Sequence, residues 1–170
     1  MSLEQYINVN NPKVEIEMKN GKKMYLELFP EVAPITVENF LSLVDEGFYD
    51  GLIFHRVIRD FMIQGGDPTG TGMGGSKKTI KGEFKTNGVN NPLPHLRGVI
   101  SMARSMNKDS ASSQFFICHE DAPHLNGSYA AFGCLYEGFE VLDSIACVRT
   151  DFRDKPLEKV EIKKITRVLE

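Results

Sequence analysis

Arg56 stands in the run FHRVIRDFMIQGGD, Phe54 to Asp67, which reads as two short strands among apolar neighbours. A charge in such company is costly unless it is paired or used. An ion pair at a sheet rim is the plain explanation. The neighbouring residues favour a use. Side chains alternate along a strand, so Met62 and Gln64 share one face. Gln114 and Phe116 share a face in SQFFIC for the same reason. Two strands thus each offer an apolar and an amide side chain on one surface, with Arg56 close by. That set makes a shallow apolar pocket flanked by hydrogen-bonding groups, with no acid–base pair and no nucleophile. It suits binding a peptide and steadying a strained backbone.

Other chemistries fit less well. Gly70, Gly72 and Gly75 match GxGxxG in form, but SKKTIKGEF follows where a helix should start. The same glycines mimic a P-loop, yet Ser76-Lys77 reverses the required Lys-Ser/Thr order. The loop from Gly65 to Ser76 is therefore expected to be a tight, mobile surface turn. His119 and His124 lie near Cys118, but their spacing fits no helical metal pair and no further cysteine completes a set. Cys118 sits in an apolar strand, where a thiol is ordinarily inert core. No metal and no cofactor is expected.

The elements that must position these residues are mostly strands. Val14, Ile16 and Met18 alternate with Glu15 and Glu17, and alternation resumes at Met24, Leu26 and Leu28. Asn20-Gly21 between them predicts a hairpin with a type I′ turn, positive φ at both residues. Val37, Phe40, Leu41 and Val44 mark one face of a helix, with Pro34 near its start and Gly47 past its end. Two strands are predicted between Phe54 and Gln64, and one each in GVISMA, SQFFIC and AAFGCLYEG. A second helix spans Phe139 to Ala146. KVEIKKITRV closes the chain as a strand whose apolar phase slips between Ile162 and Ile165, the sign of a bulge. About eight short strands with glycine-rich turns and no βαβ alternation favour an antiparallel barrel or sandwich.

Composition narrows the class. The chain has 170 residues, which suits one domain, and a formal net charge of −3. No basic stripe points to nucleic acid, and no apolar run reaches the length of a membrane span. The first residues lack the basic and apolar regions of a signal peptide. Cys118, Cys134 and Cys147 are an odd count without a CxxC, read as free thiols in a reducing compartment. A cytoplasmic monomer is the expectation.

FHRVIRDFMIQGGDPTGTGMGG, GVISMARS, SASSQFFIC and YAAFGCLYEGFEVLD strongly resemble the cyclophilins, the peptidyl-prolyl cis–trans isomerases. The resemblance runs from the first hairpin to the last strand, and the short loops are similar to those of bacterial cytosolic members. It implies one domain over residues 1–170: a mainly β fold, an eight-stranded antiparallel closed barrel capped by two α-helices. It implies Arg56 as the catalytic arginine, with His55 beside it. Phe61, Met62, Phe116 and Leu125 would hold the proline ring. Gln64 would bond the substrate backbone. Ala103 and Arg104 would line the groove, Arg104 through its main chain, and Gln114 would support it. His124 stands where eukaryotic members carry tryptophan, Tyr129 where they carry histidine, and Arg104 where many carry asparagine. The tryptophan position is linked in the family to cyclosporin, so weak cyclosporin binding is expected. The partners implied are proline-containing peptides and unfolded proteins.

The expected mechanism is a hydrogen bond from Arg56, in a partly dry pocket, to the proline nitrogen of a twisted peptide bond. Two other classes compete: a proline-peptide-binding or scaffold module without turnover, and a small-ligand barrel with a hollow interior. Leu, Ile, Val and Phe on the inward faces argue for a filled interior instead.

Overall fold

A computed structural model describes residues 2–169. In chain order the elements are β1 (Lys13–Met18), β2 (Lys23–Leu28), α1 (Pro34–Asp45), β3 (Phe54–Ile58), β4 (Met62–Gly65), β5 (Val99–Met102), β6 (Phe115–Cys118), β7 (Ala131–Glu137), α2 (Phe139–Ala146) and β8 (Ile162–Arg167). The strands form one antiparallel sheet in the order β3-β4-β6-β5-β7-β2-β1-β8. The sheet curls back on itself but is not closed by a continuous ladder, which corrects the expected closed barrel. Its two edges meet at a single bridge, Ile53 opposite Glu161. Three backbone bonds seal that seam: Gly51 N–H to Ile162 O, Ile162 N–H to Leu52 O, and Phe54 N–H to Val160 O.

The alternation read in the first hairpin is realised in register. Val14 lies opposite Leu26 and Ile16 opposite Met24, all facing the core. The turn between them differs from the expected type. Gly21 has φ of 87°, but Asn20 is not at positive φ. Gly21 N–H returns to Met18 O, and Met18 N–H to Lys22 O. The loop thus has three residues, ending in a glycine in the left-handed region, a geometry hairpins also favour. The Asn20 side chain accepts Lys22 N–H at 2.9 Å. The predicted bulge is present. Met18 pairs with Ile162 and Glu17 with Lys164, so Lys163 is the extra residue. It lets Ile162 and Ile165 both reach the interior.

The interior is filled. Leu26, Leu28, Phe54, Ile63, Ile100, Phe115, Ile117 and Phe132 are all sealed from solvent, which removes the small-ligand barrel. Helix α1 buries Val37, Phe40, Leu41 and Val44. Phe40 packs against Tyr49, Phe115 and Phe132 at ring distances of 5.2, 5.7 and 5.2 Å. The N-cap of α1, Ala33, has no capping side chain. Buried Glu83 supplies the acceptor from afar, taking Thr36 N–H at 2.6 Å and Thr36 Oγ1 at 2.7 Å. A carboxylate there satisfies an orphan amide and complements the helix dipole. Helix α2 buries Val141, Leu142, Ile145 and Ala146.

Candidate functional site

Strands β4 and β6 have two apolar faces. Ile63 and Ile117 point into the core, while Met62, Phe116 and Cys118 point outward. With Ala122 and Leu125 the outward set makes a second, smaller apolar cluster, against which Phe61, Ala103 and Tyr129 pack. This is the period-two logic of a strand used on both sides. The outer cluster is the floor of a cavity of about 170 Å³. Arg56, Phe61, Met62, Gln64, Ala103, Arg104, Phe116, Leu125 and Tyr129 line it. All nine were singled out from sequence.

Register sets the polar rim. Arg56 lies opposite Gln64, and Gln64 opposite Phe116, in one row across β3, β4 and β6. Arg56 Nη1 donates to Gln64 Oε1 at 3.2 Å. Gln64 Nε2 donates to Gln114 Oε1 at 2.9 Å. Gln114 Nε2 donates to the carbonyls of Gly72 and Gly74 at 3.0 and 2.8 Å. The chain of amides runs in one direction, so each acceptor is filled and Arg56 retains further N–H donors. Arg56 is exposed and meets no carboxylate within ion-pair distance among the described residues. The ion pair at a rim is therefore not what this arginine serves. Nor is Arg56 in a dry pocket, contrary to expectation: the strand that carries it turns that side chain to solvent.

The remaining residues stand around this core. Tyr129 meets Phe116 edge-on at 5.9 Å. The Arg104 guanidinium lies over the Tyr129 ring at 4.6 Å and the Phe84 ring at 4.9 Å. Its Nε and Nη2 both donate to Ser128 O, at 3.1 and 2.7 Å. Two of the residues that depart from the family pattern thus hold each other, and the Arg104 side chain builds the wall. Exposed His124 packs on Phe61 at 5.5 Å, outside the cavity lining. Gln114 is also outside that lining, bracing Gln64 from behind. His55 is buried at the irregular step of β3 and lines no part of the cavity. Burial lowers its basicity, against the pull of Asp67.

Several supporting residues lie outside the set expected from sequence. Asp67 is 1% exposed and organises the glycine loop. Its Oδ1 accepts from Thr69 N–H and Oγ1, and its Oδ2 from the amides of Thr71, Gly72 and Gly74. Burial would raise this carboxyl, but the bonds from Thr69, Gly74 and Gly72 outweigh it and bring the pKa to about 2. The loop amides are spent on an internal anion, so the loop is no phosphate cradle, and it is pinned from within. A Cβ at Gly74 would collide with Asp67 and Thr69. The DPTGTG spacing was a readable hint, since Asp readily bonds amides just ahead of it. Beneath Phe116, His95 stacks at 6.0 Å with planes 16° apart. Its Nδ1 faces Asn126 Oδ1 at 3.0 Å and its Nε2 faces Ser101 Oγ at 2.9 Å. Burial drives the His95 pKa down to about 4. Cys118 is sealed beside Met62, and burial pushes its thiol up to about 12, so this thiol is inert as a nucleophile. A second cavity of about 370 Å³ adjoins the first, sharing Gln64, Ala103 and Arg104 and extending over Gly74, Ser105 and Ser112.

The chain matches a known family. The model of the cyclophilin type peptidyl-prolyl cis-trans isomerase/CLD family matches residues 13–167. The chain belongs to the cyclophilin-type peptidyl-prolyl cis-trans isomerases. Peptidyl-prolyl cis-trans isomerase B of Bacillus subtilis is 54% identical over 123 residues, covering 72% of this chain and 82% of that protein. A peptidyl-prolyl cis-trans isomerase of Schizosaccharomyces pombe is 44% identical over 150 residues, covering 88% and 94%. A putative bifunctional phosphatase/peptidyl-prolyl cis-trans isomerase of Streptococcus pyogenes is 43% identical; the match covers 93% of this chain but only 39% of that longer protein. Among solved structures, a cyclophilin-type isomerase of Cryptosporidium parvum superposes with TM-score 0.86 at 36% identity, covering 94% of this chain and 99% of that one. A structure of that protein in the presence of the dipeptide Ala-Pro gives TM-score 0.85 at 37% identity, covering 93% and 99%. The cyclophilin fold of these relatives agrees with the curled eight-stranded sheet and two helices described above.

Proposed function

We propose that this cyclophilin binds X–Pro segments of peptides and unfolded proteins in the outer pocket and accelerates their cis–trans exchange, with Arg56 as the catalytic residue. The observation that carries the reading is the row Arg56, Gln64, Phe116, which sets a guanidinium beside an apolar floor. The Ala-Pro dipeptide present with the Cryptosporidium relative supports a proline ring as the occupant.

The chemistry follows from the peptide bond. Rotation must break amide resonance, a barrier of about 18–20 kcal/mol. Uncatalysed X–Pro exchange takes roughly tens to hundreds of seconds. In the twisted state the proline nitrogen recovers its lone pair. A donor held at that nitrogen binds the twisted form better than the planar one, and only such differential binding accelerates the step. Arg56 is permanently charged and its fork is rigid. Gln64 takes one of its N–H groups and leaves others free. Arg56 is solvated in the free protein, so the seated substrate must supply the cover that strengthens the bond. Phe61, Met62, Phe116 and Leu125 grip the ring while the preceding residue turns. No covalent step is required.

We further propose a cytoplasmic monomer that binds cyclosporin weakly, since His124 offers a smaller, more polar surface than tryptophan. The deciding experiment for the activity is exchange of a proline tetrapeptide followed by NMR. The wild-type chain should accelerate it, and Arg56→Ala should lose orders of magnitude while still binding. Binding without acceleration by the wild type would instead establish a non-catalytic peptide module.

A further inference from the structure

We infer that His119 is a positioning residue: its imidazole holds the β3–β4 turn in the backbone conformation that presents Phe61 and Met62 to the proline pocket. The inference rests on the reading of that pocket given above. The spacing of His119 fits no metal site, and its ring instead serves the β3–β4 turn.

The turn between Ile58 and Met62 contains an unusual residue. Asp60 has φ of 64°, in the left-handed region, and only one other described non-glycine residue does so. That region costs a residue with a Cβ, least for Asn and Asp, and partners that fit the turn help to hold it there. Phe61 N–H closes the turn on Ile58 O at 3.0 Å. The outward Asp60 N–H has one partner, His119 Nδ1, at 2.9 Å. His119 N–H in turn donates to Phe61 O at 2.8 Å. A single residue therefore grips the turn at two peptide units, the one before Asp60 by its ring and the one after Phe61 by its backbone. The side chain held between these two bonds is Phe61 itself, a wall of the pocket, and Met62 comes next as floor.

The ring is set for this task. Nδ1 accepts from Asp60, so it carries no hydrogen, and the hydrogen lies on Nε2. Nε2 then donates to Asp143 Oδ1 at 3.0 Å. Asp143, on α2, is itself held by the two terminal guanidinium nitrogens of Arg97, at 2.7 and 3.0 Å. Arg97 Nη1 also donates to His119 O at 3.0 Å. The arginine's hydrogen bonds keep the Asp143 carboxyl below its usual range, so it is a steady anionic acceptor. Helix α2 thereby fixes the tautomer and tilt of a ring whose other nitrogen fixes the catalytic turn. A histidine orientated by a carboxylate on one nitrogen is a familiar way to define what the other nitrogen does.

Crossed substitutions test this. In His119→Asn, Oδ1 takes the place of Nδ1 and can still accept Asp60 N–H, while the link to Asp143 is lost. In His119→Gln, the amide reaches towards Asp143 and the Asp60 acceptor is lost. The expected result is kcat/KM within about twofold of wild type for His119→Asn. For His119→Gln a fall of about five- to tenfold is expected, carried by KM with kcat little changed, because ring seating and not Arg56 is disturbed. Adding Asp60→Gly to His119→Gln should restore most of the loss, since glycine adopts the left-handed turn without help. Equal losses in the two single variants, or no rescue by Asp60→Gly, would overturn the inference. If His119→Gln does not fold, folded but inactive His119→Asn overturns it and active His119→Asn upholds it. An inactive wild type would refute the pocket reading itself, a result separate from these.

Discussion

Arg56 and Gln64 lie directly opposite on β3 and β4, and one guanidinium nitrogen of Arg56 donates to Gln64 Oε1 at 3.2 Å. Gln64 cannot turn away, because its own Nε2 is bound to Gln114, which is tied to the loop built on Asp67. The free protein thus holds its arginine at the pocket edge with a neutral acceptor and, among the described residues, no competing carboxylate. Gln64→Ala should leave the guanidinium unguided. We expect kcat/KM to fall about tenfold through lost orientation, with the melting temperature little changed, as read by exchange NMR and calorimetry. Unchanged kcat/KM would mean that Arg56 needs no guide.

His95 predicts an acid limit to stability. The unfolded chain binds a proton near the ordinary histidine value of 6.5, the folded chain only near about 4. Between these values the unfolded form holds more protons, so stability rises with pH. The contribution is complete above about pH 6.5 and is lost as pH falls towards 4, amounting to about 3 kcal/mol at about 1.4 kcal/mol per tenfold change in proton affinity. His55, whose basicity burial also lowers, acts in the same direction. Urea midpoints measured from pH 7 to pH 4 should fall steeply for the wild type and less steeply for His95→Gln. Parallel slopes would contradict the assignment.

The cysteines should separate by burial. Cys118 and Cys134 are sealed with thiols pushed up to about 12, while Cys147 is exposed. Iodoacetamide at pH 8 should label the native chain once, at Cys147, and the urea-unfolded chain three times, as counted by mass spectrometry. Rapid native labelling of Cys118 would mean that the β6 edge of the pocket opens.

His124 sits on Phe61 at the rim, not in the lining. His124→Trp should extend the apolar rim and raise cyclosporin affinity by at least about tenfold, the effect of roughly 1.4 kcal/mol, while isomerase activity stays within about twofold. Calorimetric titration of both proteins checks it. Equal affinities would place the limit on cyclosporin elsewhere, with Arg104 and Tyr129 the next residues to exchange.

What was legible in the sequence was local or periodic. Alternation places Met62, Gln64, Gln114 and Phe116 on shared faces, helix periodicity gives the buried face of α1, and the second helix falls at the bounds expected for it. The phase slip at Ile162 and Ile165 betrayed the bulge. The pocket residues near Ala103, Leu125 and Tyr129 came from family resemblance, because no periodicity joins three separate segments. What was missed depends on partners distant in the chain. Glu83 caps α1 across 47 residues, and His119 reaches Asp60 across 59. The solvation of Arg56 was misread because an apolar run does not say which alternate face is outside. The Asn-Gly dipeptide preference predicts positive φ at Asn20, whereas the three-residue loop requires it only of Gly21.

The central claim is that the guanidinium of Arg56 stabilises the twisted bond, and Arg56→Lys tests it most directly. Lysine keeps the charge and loses the fork. Exchange NMR on a proline tetrapeptide gives affinity and catalysed exchange rate in one experiment. The account predicts affinity within a few-fold of wild type and an exchange rate reduced about a hundredfold, roughly 2.7 kcal/mol of transition-state stabilisation. An Arg56→Lys protein that exchanges the peptide at close to the wild-type rate would contradict it.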